Sequence, residues 1–286
     1  MWLILSLCSA VFFSLSTFFI KKGYSHLSVL KTMLIESIIS LLVMCIYLIL
    51  RQNFQVEGVF LVFLWTIPAY VGYYLYLKAY EKSGLALTSS IISTTPIFLA
   101  ILAYFIWGQQ VSLLGAILII TTVVGVVLIG LTPTELKSLS KLRPFKLEKI
   151  VIWSLIGLFA NLLMDLVAGK VFSFSTPTTY LILLVPSEVL FVGFMSFIKR
   201  ENINFLNMKL SNLVNTILGT TFMAIATIFF FEAFTIGKLA YVSALTSTDV
   251  ILSVFLGVFF LKEKISRLQT VGIVIVTIGV IIFSFV

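Results

Sequence analysis

Residues 132–149 read TPTELKSLSKLRPFKLEK, and no other part of the 286-residue chain stays polar for so long. Pro133 and Pro144 punctuate the stretch, and Lys137, Lys141, Arg143, Lys146 and Lys149 make it basic. On either side the sequence turns apolar. A bilayer core of about 30 Å asks for roughly 20 residues at 1.5 Å each. Ten runs of that order stand out: 2–20, 29–50, 58–78, 85–107 and 111–131 before the polar stretch, and 150–170, 178–198, 213–234, 239–261 and 268–286 after it. The reading is an all-α polytopic membrane protein with ten transmembrane helices, five on each side of a basic linker. The first run has no basic residues before it and no small-x-small site after it, so it reads as a helix and not a signal peptide. With the last run reaching Val286, no soluble domain is expected at either end.

Composition agrees. Hydrophobic residues make up 60% of the chain and charged residues 10%, with a mean hydropathy of +1.19. A soluble domain keeps about a quarter of its residues charged to solvate its surface. The formal charge of +8 would suggest nucleic acid in a soluble protein, but here lysines and arginines cluster at the ends of apolar runs, where they signal topology. No nucleic-acid partner is expected. Cys8 and Cys45 lie within apolar runs and behave as small hydrophobes.

The two halves look alike. Adding 154 to positions in the third to fifth runs pairs Ser89 with Ser243, Ser93 with Ser247, Thr94 with Thr248, Thr95 with Asp249, Ser112 with Ser266 and Gly125 with Gly279. Matched Leu and Phe carry little weight in apolar sequence, but a series of matched small and hydroxyl residues carries more. An odd number of helices per half makes the second copy enter the membrane in the opposite sense, which is a transporter device.

On this pattern the chain resembles the drug/metabolite transporter superfamily, specifically ten-helix proteins of the EamA type. The resemblance covers nearly the whole chain and rests on the 5+5 organisation, the small-residue-rich fourth and ninth runs, the polar corners WGQQVS (107–112) and LKEKIS (261–266), and a glycine-bearing last helix in each half. It implies two EamA-like five-helix repeats, 1–131 and 150–286, joined by the linker at 132–149. It also implies a basket of helices one to four and six to nine around a central cavity, with the fifth and tenth peripheral. Many relatives carry an arginine in the second helix where this sequence has Glu36, which argues against carrying over anionic substrates.

An ionisable side chain inside hydrocarbon is expensive unless it faces a cavity or a partner, so each is a site candidate. Five of the eleven acids fall within apolar runs: Glu36, Asp165, Glu188, Glu232 and Asp249. None lies in the fifth or tenth run, in keeping with the architecture the resemblance implies. Glu188 and Asp249 sit near the middle of their runs, and Pro186 beside Glu188 suggests a kink. Glu36 answers to Glu188 if the spacing of the repeat there is 152. Buried carboxyl groups make usable proton carriers; the alternative for Glu188 and Asp249 is a buried hydrogen bond to Ser or Thr that fixes helix packing. Asp165 and Glu232 lie closer to helix ends, where an interfacial ion pair competes with a binding role, and Lys238 is six residues from Glu232.

The fourth and ninth runs contain TSSIISTTP (88–96) and YVSALTSTD (241–249). Serines four apart form a ridge along which helix backbones approach. The remaining polarity gives the ninth run a hydrophilic face through Thr246, Asp249 and Ser253, with Ser247 beside it, and the fourth run one through Thr88 and Thr95, with Ser93 beside it. Ser14 in the first run and Asn161, one turn before Asp165, extend the candidate set. Tyr73, Tyr74, Tyr76 and Tyr80 read as an aromatic belt or as cavity walls for an organic cation.

The sequence holds no phosphate-binding loop, no metal-ligand spacing and one histidine, His26. No cofactor is expected, and a membrane-embedded enzyme lacks its nucleophile, base or metal. The expected function is secondary transport by alternating access, with protons and a small cationic or zwitterionic solute as partners, most simply as proton-coupled export across the cell membrane. A lipid or lipid-linked sugar flippase is the alternative and would need a cavity open sideways. Sixteen Lys and Arg residues lie in the odd-numbered connections against three in the even ones and none at the termini. Short basic loops stay cytoplasmic, so both termini are expected outside, although relatives of this type usually have them inside.

Overall fold

A computed structural model describes residues 1–23, 28–55, 94–130, 144–173, 175–200, 209–261 and 265–283, with short pieces at 59–60, 70–71, 73–75, 77–78 and 91–92. The described chain is helical: α1 (Trp2–Gly23), α2 (Val29–Arg51), α3 (Thr95–Trp107), α4 (Leu113–Gly130), α5 (Pro144–Val171), α6 (Pro177–Lys199), α7 (Leu210–Ile236), α8 (Leu239–Thr246), α9 (Asp249–Leu261) and α10 (Arg267–Phe283). In lipid the backbone must satisfy its own hydrogen bonds, and helices do so within one segment. Six described stretches are long and apolar enough to span a membrane, among them Trp2–Ile20, Val29–Arg51 and Leu239–Phe260, the last comprising α8 and α9.

Three boundaries differ from the sequence reading. Helix α5 starts at Pro144, inside the expected linker. Proline suits a first helical turn, and no further turn residue intervenes before the apolar run. The ninth run is two helices, because Ser247 and Thr248 form a turn between α8 and α9. In the fourth run the chain is helical at 91–92, turns at Thr94 and begins α3 at Thr95. Pro186, by contrast, lies inside a continuous α6.

Duplication is visible in the capping geometry. Helices α3 and α9 coincide in both boundaries at a spacing of 154, and α10 starts 154 residues after α4. At the same spacing Ser112 accepts from the Gly115 amide at 3.0 Å and Ser266 from the Gln269 amide at 3.2 Å. Helices α2 and α6 match at 148 instead. Ser28 and Thr176 are their N-caps, accepting from Lys31 and Thr179 amides at 3.4 and 3.3 Å, and Gln52 and Arg200 close them in the left-handed conformation with φ 50° each. The supposed spacing of 152 is therefore wrong: Glu36 answers to Leu184, and Glu188 to Ser40, one turn away. The chain between these helix pairs is longer in the second half, so no single offset serves both.

Equivalent helices pack against one another in opposite directions. The Thr176 hydroxyl, at the start of α6, donates to the Asn53 carbonyl just past the end of α2 at 2.9 Å. Lys238, ahead of α8, donates to the Gln110 carbonyl beyond α3 at 2.6 Å. Helices α4 and α10 cross where a Cβ on Gly272 would stand 2.6 Å from the Gly125 carbonyl oxygen and one on Gly279 would meet Thr122 at 3.2 Å. Small residues let the two backbones meet, the usual means of association where lipid is as apolar as the helices. Helix α1 lies along α7 and also touches α8 and α9. The largest core cluster joins α2, α3, α5, α6 and α7 through Met44, Leu99, Leu158, Tyr180 and Phe231.

Candidate solute and proton site

The Ser/Thr-rich centre of each half breaks its helix at the same place. The Thr94 amide donates to the Ile91 carbonyl and the Thr248 amide to Leu245, both at 3.1 Å; the next amides along, Ile97 and Ile251, return to Thr94 and Thr248, both at 3.0 Å. Hydroxyl groups that bond backward compete with the helical ladder and favour such turns. The helices that follow open with Thr95, whose hydroxyl donates to the Ile92 carbonyl, and with Asp249, whose carboxylate accepts from the Val250 amide. An acid in a first helical turn is where the peptide dipoles favour negative charge.

Asp249 and Asp165 are both half-buried. Asp165 accepts no hydrogen bond from a described residue; Tyr180, near enough to interact with it electrostatically, donates its hydroxyl to the Met164 carbonyl at 2.8 Å. Asn161 stands one turn earlier on α5, also half-buried. At the end of α8, Thr246 is buried with an unpartnered hydroxyl, while Ser247 donates to the Ser243 carbonyl at 2.9 Å. Ser14, on α1, donates to the Val11 carbonyl at 2.7 Å.

Glu36 and Glu188 approach one another across the α2–α6 contact, close enough to interact electrostatically. The Tyr73 hydroxyl reaches both Glu36 oxygens at 3.2 Å. Glu188 is 4% exposed, and its Oε1 has no hydrogen-bond partner. Beside it are Ser37, which donates to the Met33 carbonyl at 2.7 Å, and Tyr70, which donates to the Leu184 carbonyl at 3.1 Å. A buried polar oxygen without a hydrogen-bond partner costs free energy.

Glu232 is held elsewhere. Its Oε1 pairs with Arg51 at 2.7 Å and accepts from the Tyr47 hydroxyl. An ion pair was among the sequence expectations, but the partner is on α2 and not the nearby Lys238. Thr88 and Ser93 lie outside the described residues. Among the described residues no group of three or more His, Cys, Asp and Glu side chains converges as a metal site requires.

The sequence signature of the EamA-like transporter family matches residues 1–131 and 148–285. The chain belongs to the EamA-like transporter family. A solved crystal structure superposes on it with a TM-score of 0.75 at 11% identity, covering 99% of this chain and 96% of that one, a likeness of fold alone. No curated protein matches the chain by sequence. Membership makes it a multi-pass integral membrane protein and a membrane transporter of the drug/metabolite superfamily.

Within this EamA-like framework the described tyrosines of the third run face neighbouring helices. Tyr70 and Tyr74 are buried with Leu77 against α6, and Tyr73 faces Glu36. Their three- and four-residue spacing was the available signal of an inward face. Tyr76 and Tyr80 lie outside the described residues. Tyr47 and Arg51 share a face of α2 by the same spacing, but nothing in the sequence pointed that face at Glu232.

Proposed function

We propose that the chain is a proton-coupled secondary transporter that exports a small cationic or zwitterionic solute across the cell membrane by alternating access. The observation that carries this reading is Asp249, placed at the start of a half-helix in mid-segment, opposite in the repeat to the equally broken Thr94–Thr95 turn. Broken helices at mid-membrane offer backbone groups and helix termini to a solute, and a carboxylate there attracts an ammonium group. Asp165 adds a second carboxylate that no described donor satisfies. Glu188 supports the proton role, because its buried Oε1 has no hydrogen-bond partner and a conformational change can bring a donor or water to it.

The test is counterflow and pH-gradient-driven flux in proteoliposomes with a panel of amines, amino acids and polyamines, beside a lipid-scrambling assay on the same vesicles. Flux of at least one cationic or zwitterionic solute that dissipates the pH gradient supports the reading. Scrambling without solute flux would replace it with lipid transport.

A further inference from the structure

Arg51 ends α2, Glu232 lies near the end of α7, and both stand at the edge of the bundle where α6 begins. They form an ion pair of 2.7 Å with side-chain exposures of 49% and 20%. Tyr47, one turn below Arg51, donates to the same Glu232 oxygen, and its ring lies 5.9 Å from the guanidinium. Beyond Arg51 the chain crosses to α6, where the Gln55 amide donates to the Thr179 hydroxyl at 2.8 Å and Asn53 accepts from Thr176. Three helices, α2, α6 and α7, are thus tied together at one end by polar contacts. Beneath them lie buried Met44 and Tyr47, on the same face of α2 as Arg51.

The opposite end is built differently. A spacing of 148 carries Arg51 to Lys199. Lys199 donates to the Tyr74 hydroxyl and stands 4.3 Å from the ring centre, with Lys78 5.9 Å from that ring. Where one end has an acid facing a base, the other sets the Lys199 ammonium against a tyrosine, and Lys199 meets no carboxylate among the described residues.

Building on the alternating-access reading, we infer that Arg51, Glu232 and Tyr47 are the gate of one mouth of the transporter, holding α2 to α7 and breaking when that mouth opens. A contact that exists only in the closed state shifts the equilibrium by its own free energy. The corresponding contact at the other mouth is a cation–tyrosine pair, so the two openings are controlled by different chemistry.

The experiment needs no solute. Met44→Cys is introduced into a chain carrying Cys8→Ser and Cys45→Ser, and its labelling by a membrane-impermeant maleimide is timed in proteoliposomes. Labelling should be slow with the gate intact, several-fold faster with Glu232→Gln or Arg51→Gln, and slow again in the exchanged pair Arg51→Glu/Glu232→Arg. Equal rates in all four chains would overturn the gate. Rates that follow the charges in a protein without solute flux would keep the gate and discard the transport reading; normal flux with equal rates would do the reverse.

Discussion

Thr94 and Thr248, 154 residues apart, make the same bond: each hydroxyl donates to the carbonyl three residues back at 2.7 Å, to Ile91 in one case and Leu245 in the other. Each closes a turn one residue before a new helix, and the residues that follow them, Thr95 and Asp249, differ in charge. The duplication thus supplies two equal breaks, and one substitution makes them unequal in charge.

Asp249→Asn should fold normally and lose pH-gradient-driven flux, because the amide keeps the shape of the side chain without its charge or its proton. Flux in proteoliposomes, normalised to folded protein by gel filtration, measures this. Asp249→Asn with undiminished flux would remove the residue from the mechanism.

Glu188→Met should raise stability while abolishing proton coupling. The oxygen left without a donor is a buried polar group whose unmet hydrogen bond costs about 1–3 kcal/mol. Methionine fills similar volume without that penalty. Thermal unfolding in detergent should move upward as flux falls; a lower midpoint would show that Glu188 serves packing.

Gly272→Ala should destabilise the protein by about 1–3 kcal/mol, since the added methyl would press on the Gly125 carbonyl and the Ile129 amide of α4, both backbone groups that cannot swing aside. Transport per folded molecule should change little, because α4 and α10 carry no acid. Thermal unfolding together with flux per folded molecule checks both halves of the statement.

A C-terminal fluorescent reporter that matures only in the cytoplasm should stay dark. Sixteen Lys and Arg residues in the odd connections against three in the even ones predict the central linker inside and both termini outside. Bright cells would mean that the orientation usual among relatives prevails over the charge distribution.

Much of the architecture was legible because hydrocarbon thickness dictates run length, and because the caps Ser112 and Ser266 preserve the 154-residue spacing in the sequence itself. The turn at Ser247–Thr248 was not, since serine and threonine are tolerated within membrane helices and only the backbone reveals where they bend it. Nor were the partners of the acids. Tyr73 meets Glu36 across 37 residues and Tyr47 meets Glu232 across 185, and nothing local in the chain announces such pairs. The 152-residue match of Glu36 with Glu188 fails because the caps of the two helices, 148 apart, set the register.

Were the two halves identical, the inward-open and outward-open forms would be the same structure turned over, equal in energy and equally populated. The unequal spacings of 148 and 154, and the replacement of an Arg51–Glu232 pair by Lys199 and Tyr74 at the far end, remove that degeneracy. On the alternating-access reading proposed above, the chain has a resting side set by the free-energy difference between its two closures, and the membrane potential acting on the carboxylates adds to a bias already written into the sequence.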